Sequence, residues 1–247
     1  MTADADLHVP LDCLLSARGL RKAYGRHLVL HGVDLDVRGG EAVALLGANG
    51  AGKTTLLRIA ATLVRPTGGR VLVAGVDVAS DPEAARRRLG FLAHGSWLYE
   101  DLTALENLRF WTTLGGHSTS VSALRAALAS VELERWSGER VRAFSAGMKR
   151  RLSIARLLLA HPRVLLLDEP FTGLDQQGAK WLAEKLQAFK SEGGAVLMST
   201  HSFGRGLDVA DRAAILAGGR IAADTAVAPL GADGVRRLYA LTVEADA

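Results

Sequence analysis

The stretch Gly47-Ala-Asn-Gly-Ala-Gly-Lys-Thr54 decides the fold predicted for this chain. It follows the apolar run 42–46, which is typical of a buried strand, and precedes residues 55–63, which are typical of a helix. A strand, a glycine-rich loop and a Lys-Thr pair that opens a helix together form the pattern of a phosphate-binding loop, or P-loop. We therefore predict nucleotide binding here; the alternative is a glycine-rich turn followed by a chance Lys-Thr pair.

The chemistry of this loop follows from the charge of phosphate. Glycines let successive backbone N–H groups converge on an anion, and the positive end of the following helix is directed at the same place. Lys53 is then expected to reach the β- and γ-phosphates, and the Thr54 hydroxyl to ligate Mg²⁺. The predicted nucleotide-binding residues in this region are Gly47, Ala48, Asn49, Gly50, Ala51, Gly52, Lys53, Thr54 and Thr55.

Length and composition limit the class of protein. A chain of 247 residues, 49% of them apolar, has room for one large α/β domain with a smaller subdomain. The acidic start of the chain predicts no signal peptide, and no apolar run approaches the ~20 residues of a membrane helix. A net charge of +4 is too mild to indicate a nucleic-acid partner. The single cysteine, Cys13, is interpreted as a spectator.

The pattern of apolar residues predicts alternating strands and helices around the loop. A region of helical character at about 95–150 interrupts them, which predicts a helical subdomain inserted into an α/β core. Thr103 and Glu106 form the pattern of a capping box at its first helix. Predicted strands cover 14–20, 29–37, 71–74, 89–93, 195–199 and the edge hairpin 213–222; predicted helices cover 103–111, 121–131, 148–160, 176–190 and 230–241.

Two carboxylates follow the apolar run 164–167. Parallel strands present ligand-binding groups at their carboxyl ends, so Asp168 is expected to coordinate Mg²⁺ beside the phosphates. Glu169 is then placed to act as general base for the attacking water. His201 ends the next apolar strand and is expected to hold that water and Glu169 in place. Two adjacent acids capping a helix are the alternative.

Two other features stay open on sequence alone. Tyr24 lies in a turn and suits stacking on an adenine ring, but it equally suits closure of a sheet edge. The run 86–88 contains three arginines and is interpreted as a solvated helix face.

Taken in order, these motifs resemble the ATP-binding subunit of ABC transporters over about residues 14–222. The aromatic A-loop, the Walker A loop, the signature, Walker B with its glutamate, the D-loop and the switch histidine all have counterparts. In the same order, those counterparts are Tyr24, Gly47–Thr54, Phe144-Ser-Ala-Gly-Met148, Leu165–Asp168 with Glu169, Gly173-Leu-Asp175 and His201.

Two motifs depart from the family pattern, the signature and the Q-loop. Ala146 and Met148 replace a glycine and a glutamine of the signature, while Ser145 and Gly147 keep the expected hydroxyl and backbone donors to phosphate. His94 occupies the place of the Q-loop glutamine and is carried over as a candidate metal neighbour.

The resemblance implies a fold and an assembly. The expected fold is an α/β P-loop NTPase with a RecA-like, mostly parallel sheet, an antiparallel β subdomain and the helical insertion. One ATPase domain is expected over 14–228, with a C-terminal helix and tail at 229–247. ATP and Mg²⁺ are the implied cofactors. The implied partners are separate transmembrane subunits and a second ATPase subunit, in a homodimer or heterodimer. A peripheral location on the cytoplasmic face of the cell membrane and no nucleic-acid partner are also implied.

Two further stretches indicate which kind of transporter this ATPase would serve. Leu89-Gly-Phe-Leu-Ala-His94 and the region 98–110 resemble the ATPase of the bacterial haem exporter used in cytochrome c maturation. An exporter of a lipid, drug or antibiotic is the alternative, and a nucleic-acid-linked ATPase of the same superfamily is a more distant one. A P-loop kinase is disfavoured by the signature and the D-loop.

Overall fold

The computed structural model describes residues 12–93, 95, 97–116, 119–201 and 203–244. Within these residues ten strands form two sheets, and seven α-helices pack against them. The strands are β1 Cys13–Tyr24, β2 His27–Arg38, β3 Ala42–Leu46, β4 Gly68–Val73, β5 Val76–Asp77, β6 Leu89–Leu92, β7 Val164–Asp168, β8 Ala195–Ser199, β9 Arg212–Ala217 and β10 Arg220–Ala226. The helices are α1 Lys53–Ala60, α2 Pro82–Arg86, α3 Ala104–Leu114, α4 Val121–Ser130, α5 Ala146–Leu158, α6 Gln176–Ser191 and α7 Gly231–Glu244.

The larger sheet has six strands in the order β10-β9-β3-β8-β7-β6. Its five strands from β9 to β6 are parallel, and β10 pairs antiparallel with β9 at one edge. Every residue of β3, β7 and β8 is buried, as expected for parallel strands covered on both faces. The register pairs Ser199 with both Leu45 and Asp168, so the ends of these three strands lie side by side. The predicted α/β core with a mostly parallel sheet is confirmed.

The smaller sheet is antiparallel, with the order β2-β1-β4-β5. Strands β1 and β2 form a hairpin whose strands are each twelve residues long, and both exceed their predicted ranges of 14–20 and 29–37. The pairing shifts register between Ala17 and Leu20, where Gly19 has a φ of +53°. These irregularities interrupt the alternation of apolar and polar residues that marks a strand in the sequence.

Helices α3 and α4 and two short 3₁₀ turns lie between β6 and β7 in the chain, and α5 packs on them and on β6. The capping box predicted for α3 is present: Glu106 N–H donates to Thr103 Oγ1 at 3.2 Å, and Thr103 N–H donates to Glu106 Oε2 at 2.8 Å. Leu108, Leu124 and Leu152 are fully buried in the core that joins these helices. The limits of the helical subdomain and of the 14–228 domain stay predictions.

Other boundaries differ from the predicted ones for local reasons. Helix α1 begins at Lys53, as the Lys-Thr pair predicted, directly after Gly52 in a left-handed conformation. It ends at Ala60 instead of Leu63 because Thr62 adopts a φ of +63°. Helix α5 begins at Ala146, with Ser145 as its N-cap.

Among the described residues, none of the helices has the length and apolar character needed to cross a membrane. The acidic start of the chain, at 1–11, lies outside the described residues.

Candidate functional site

The backbone of the P-loop requires glycine at two positions. A Cβ at Gly47 would lie 2.5 Å from the carbonyl oxygen of Leu216 in β9. Gly52 has a φ of +108°, and a Cβ there would lie 2.7 Å from Leu30 Cδ2 in β2. The loop is therefore held against both sheets, at the point where β3 ends and α1 begins.

Lys53 directs its ammonium group back into this loop. Its Nζ donates to the carbonyl oxygens of Gly47 at 2.7 Å and Ala48 at 3.0 Å. Burial lowers the pKa of Lys53 below its usual value, while the negative charges of Glu169 and Asp168 oppose that shift. The ammonium group thus lies within the loop predicted to bind the phosphates.

Asp168, at the end of β7, is bonded to two hydroxyl groups. Thr54 Oγ1 donates to its carboxylate at 3.0 Å, and Ser199 Oγ donates to Oδ1 at 2.6 Å. The first contact joins the start of α1 to the end of β7, between the two residues predicted to ligate Mg²⁺. The second was missed, although a polar residue at the end of the apolar run of β8, just before Thr200 and His201, was a signal for it.

Glu169 and His201 come together beside this carboxylate. His201 Nδ1 lies 3.0 Å from Glu169 Oε2, and Glu169 N–H donates to Ser199 Oγ at 3.0 Å. The Glu169 side chain is 17% exposed and that of His201 is 66% exposed, so the pair lies at the mouth of the site. The structure therefore brings together the two side chains predicted to handle the attacking water.

These elements enclose one pocket. Most of the predicted phosphate-binding and carboxylate residues line it, whereas Gly47, Ala48 and Ala51 form the loop behind it. Val29 and Arg58 also line it and were not predicted. The predicted residues that line the pocket are Asn49, Gly50, Gly52, Lys53, Thr54, Thr55, Asp168 and Glu169.

Apart from the loop residues behind it, four predicted residues that the structure describes do not line this pocket, namely Tyr24, Ser145, Gly147 and His201. Ser145 Oγ accepts from Met148 N–H at 3.2 Å as the N-cap of α5, and neither Ser145 nor Gly147 lines the pocket. Tyr24 is 47% exposed and lies under Lys22 Nζ, 4.8 Å from its ring centroid. His94 lies outside the described residues.

The polar groups that line the pocket fit a nucleotide with Mg²⁺. A hydroxyl and a carboxylate, from Thr54 and Asp168, face the pocket within hydrogen-bond distance of each other. Oxygen ligands of this kind are those that Mg²⁺ prefers beside phosphate. A lysine, a loop of backbone N–H groups and the Glu169 carboxylate complete a site suited to phosphoanhydride hydrolysis.

Comparison with known proteins places this geometry in a family. A family model described as ABC transporter matches residues 30–172. A Nod factor export ATP-binding protein I from Cupriavidus pinatubonensis is 37% identical over 87% of this chain and 67% of its own length. The daunorubicin resistance ATP-binding protein DrrA3 of Streptomyces coeruleorubidus is 38% identical over 86% of this chain and 68% of its own. The cytochrome c biogenesis ATP-binding export protein CcmA of Paraburkholderia xenovorans is 39% identical over 76% of this chain and 90% of its own. The chain thus spans about two thirds of the first two relatives.

Two solved structures share the fold. An ATP-binding subunit of an ABC transporter superposes with a TM-score of 0.80 at 33% identity, over 93% of this chain and 94% of its own. A dimeric ATP-binding cassette in a post-hydrolysis state, bound to ADP and Pi, superposes with a TM-score of 0.78 at 25% identity, over 86% of this chain and 98% of its own.

Proposed function

The chain belongs to the ABC transporter family as one of its ATP-hydrolysing, ATP-binding subunits, and on that premise we propose which residues carry the activity. The observation that carries the proposal is the meeting of Lys53, Thr54, Asp168 and Glu169 at one pocket. We also take 14–228 as one ATPase domain with its helical insertion at about 95–150, followed by the C-terminal helix and tail at 229–247.

ATP binds with its phosphates in the P-loop. The backbone N–H groups of Gly47–Thr54 and the N-terminus of α1 surround the β- and γ-phosphates, and Lys53 neutralises part of their charge. Thr54 and Asp168 hold Mg²⁺, which when bound draws charge from the phosphate oxygens. His94 is a further candidate neighbour of that ion, and Tyr24 a candidate platform for the adenine.

Hydrolysis uses Glu169 as its base. A water oxygen attacks the γ-phosphorus, the bond to the bridging oxygen breaks, and ADP leaves. Glu169 takes the proton of that water, and His201, 3.0 Å from Glu169 Oε2, orients the carboxylate. The position of this pair at the mouth of the pocket supports that role.

The site is shared between two copies or two related subunits. Ser145 and Gly147 lie away from this chain's own pocket, which fits donors that serve the ATP of a second ATPase subunit. The dimeric relative bound to ADP and Pi supports this arrangement. ATP then stabilises the closed interface, and its hydrolysis adds charge repulsion that opens it.

The complete transporter includes separate transmembrane subunits, with this chain at the cytoplasmic face of the cell membrane. No nucleic-acid partner is expected.

The first candidate for the transported substrate is haem, in cytochrome c maturation. This candidate rests on the stretches 89–94 and 98–110 and on the CcmA relative. The second candidate is another exported molecule, because the Nod factor and daunorubicin relatives are of similar identity.

Replacing Lys53 tests the P-loop assignment. Lys53→Ala removes the point charge beside the phosphates, so ATP hydrolysis should fall by at least about 100-fold or ATP binding should be lost, without unfolding. Lys180→Ala, at an exposed position of α6, is the matched control and should keep wild-type turnover. Near-normal affinity and turnover in Lys53→Ala would contradict the assignment.

A strain that lacks the gene tests the substrate. If the substrate is haem, the strain should lack covalent c-type cytochromes, and complementation by Glu169→Gln should not restore them. Growth on fermentable carbon should survive. Normal covalent cytochromes in the deletion strain would favour the second candidate and leave the ATPase assignment intact.

A further inference from the structure

Three consecutive cations follow the N-cap of α5, and they point in different directions. Lys149 Nζ pairs with Glu100 at 2.6 Å, on the loop before α3. Arg151 pairs with Glu132 and lies over the ring of Trp181. These two side chains therefore have local acidic partners.

Arg150 has a different contact. Its guanidinium donates to the backbone carbonyl oxygen of Glu169 at 2.7 Å, on the turn that follows β7. Among the described residues no carboxylate forms an ion pair with Arg150. The Glu169 carboxylate instead contacts His201. Burial lowers the pKa of Arg150, and the negative charges of Asp168 and Glu169 oppose that shift. The cation thus faces the acidic end of β7 from outside the pocket.

The peptide that Arg150 contacts has an unfavourable conformation. Glu169 has a φ of +51°, in the left-handed region that a side chain with a Cβ rarely adopts. Its N–H donates to Ser199 Oγ at 3.0 Å. Its carbonyl accepts from Thr172 N–H at 3.3 Å as well as from Arg150. Hydrogen bonds on both sides of the residue therefore hold a conformation that the free chain would not favour.

We propose that Arg150 is a positioning residue that holds the backbone of Glu169, and with it the direction of the catalytic carboxylate. The proposal rests on the function assigned above to Glu169. Arg150 acts on the peptide group and does not touch ATP or the attacking water.

The helix that carries Arg150 also carries a residue assigned to a second nucleotide site. Arg150 lies five residues after Ser145, about 7.5 Å along the same helix. Ser145 is assigned to the ATP of the second subunit, whereas Glu169 is assigned to this chain's own ATP. A rigid helix that carries both Ser145 and Arg150 would therefore transmit a displacement at one ATP to the base at the other.

Substitutions of Arg150 in the full-length chain test this role. Arg150→Met keeps the length of the apolar stem and removes the donor, whereas Arg150→Lys keeps a charge and a donor. Since small misplacements of a catalytic group cost up to about 100-fold, Arg150→Met should lower kcat about 10- to 100-fold. KM and the dissociation constant for ATP should change less than about threefold. Arg150→Lys should recover most of the lost kcat, and Lys149→Gln should keep the wild-type value.

Each outcome decides the proposal. If Arg150→Met turns over as fast as Arg150→Lys, the donor has no positioning role, and the proposal is wrong. If Arg150→Met does not bind nucleotide, Arg150→Gln takes its place; loss of binding in both variants would show that Arg150 supports the fold instead. Glu169→Gln is measured alongside: wild-type turnover in that variant contradicts the proposed function, whereas a loss there with wild-type turnover in Arg150→Met contradicts only this inference.

Discussion

At the scale of single residues, Ser199 is the side chain that joins the two acids at the end of β7. Its hydroxyl donates to Asp168 Oδ1 at 2.6 Å and accepts from Glu169 N–H at 3.0 Å. It is fully buried, so water does not replace either contact. One small side chain thus holds both the candidate metal ligand and the candidate base.

Ser199→Ala should lower the rate of ATP hydrolysis without a matching loss of ATP affinity. The substitution leaves Glu169 N–H without its acceptor and removes a donor to Asp168, so kcat should fall about 10-fold with little change in ATP affinity. Thermal or denaturant unfolding should show a loss of about 1 to 3 kcal/mol. Ser153→Ala is the control, because Ser153 is also fully buried but its Oγ donates to Lys149 O on α5. Wild-type kcat in Ser199→Ala would contradict this role.

The residues that the sequence could predict are those whose type and local context match a known chemistry. Lys53 and Thr54 follow glycines, and Asp168 and Glu169 end an apolar strand. Ser199 is marked only as the polar residue that ends the apolar run of β8, and Arg150 carries no local signal. Their contacts depend on the pairing of β8 with β7 and on the packing of α5, which sequence patterns do not specify. The roles of Tyr24, His94 and Ser145 stay predictions.

At the scale of elements, the start of α3 was predicted better than the lengths of β1 and β2. Thr103 was expected to lie at a helix start, and it is an N-cap whose side chain accepts a backbone N–H. Asp81 and Ser145 are N-caps of the same kind. Capping chemistry acts within three or four residues, so it can be identified in the sequence. The hairpin of β1 and β2 was underestimated because its pairing includes bulges at glycine.

The capping box of α3 gives a prediction at this scale. Thr103→Ala removes the acceptor for Glu106 N–H and should lower the free energy of unfolding by about 1 kcal/mol. Denaturant titration measures this difference. Thr113→Ala, at an exposed position within the same helix, should be neutral or slightly stabilising, because alanine favours helix. ATP turnover should be unchanged in both variants, and equal stability of the two would argue against the cap.

At the scale of the whole molecule, the two sheets and the helical region hold the parts of the site in fixed relation. One core lies between the sheets and around α1, and a second joins the parallel sheet to α3, α4 and α5. The P-loop is packed against the first core, whereas Ser145 begins a helix that belongs to the second. This separation leaves the signature residues away from the chain's own pocket, and it is the physical reason to expect a second ATPase subunit.

The most direct test of the central claim is a measurement on Glu169→Gln in the presence of Mg²⁺ and ATP. Light scattering after size exclusion reports the oligomeric state, and phosphate release is followed in the same sample. The variant keeps the shape of the side chain but not the base, so it should bind ATP, accumulate as an ATP-bound dimer and release phosphate at least about 100-fold more slowly than wild type. Glu184→Gln, at an exposed position of α6, should behave as wild type. Phosphate release by Glu169→Gln at the wild-type rate, with no accumulated dimer, would contradict the account.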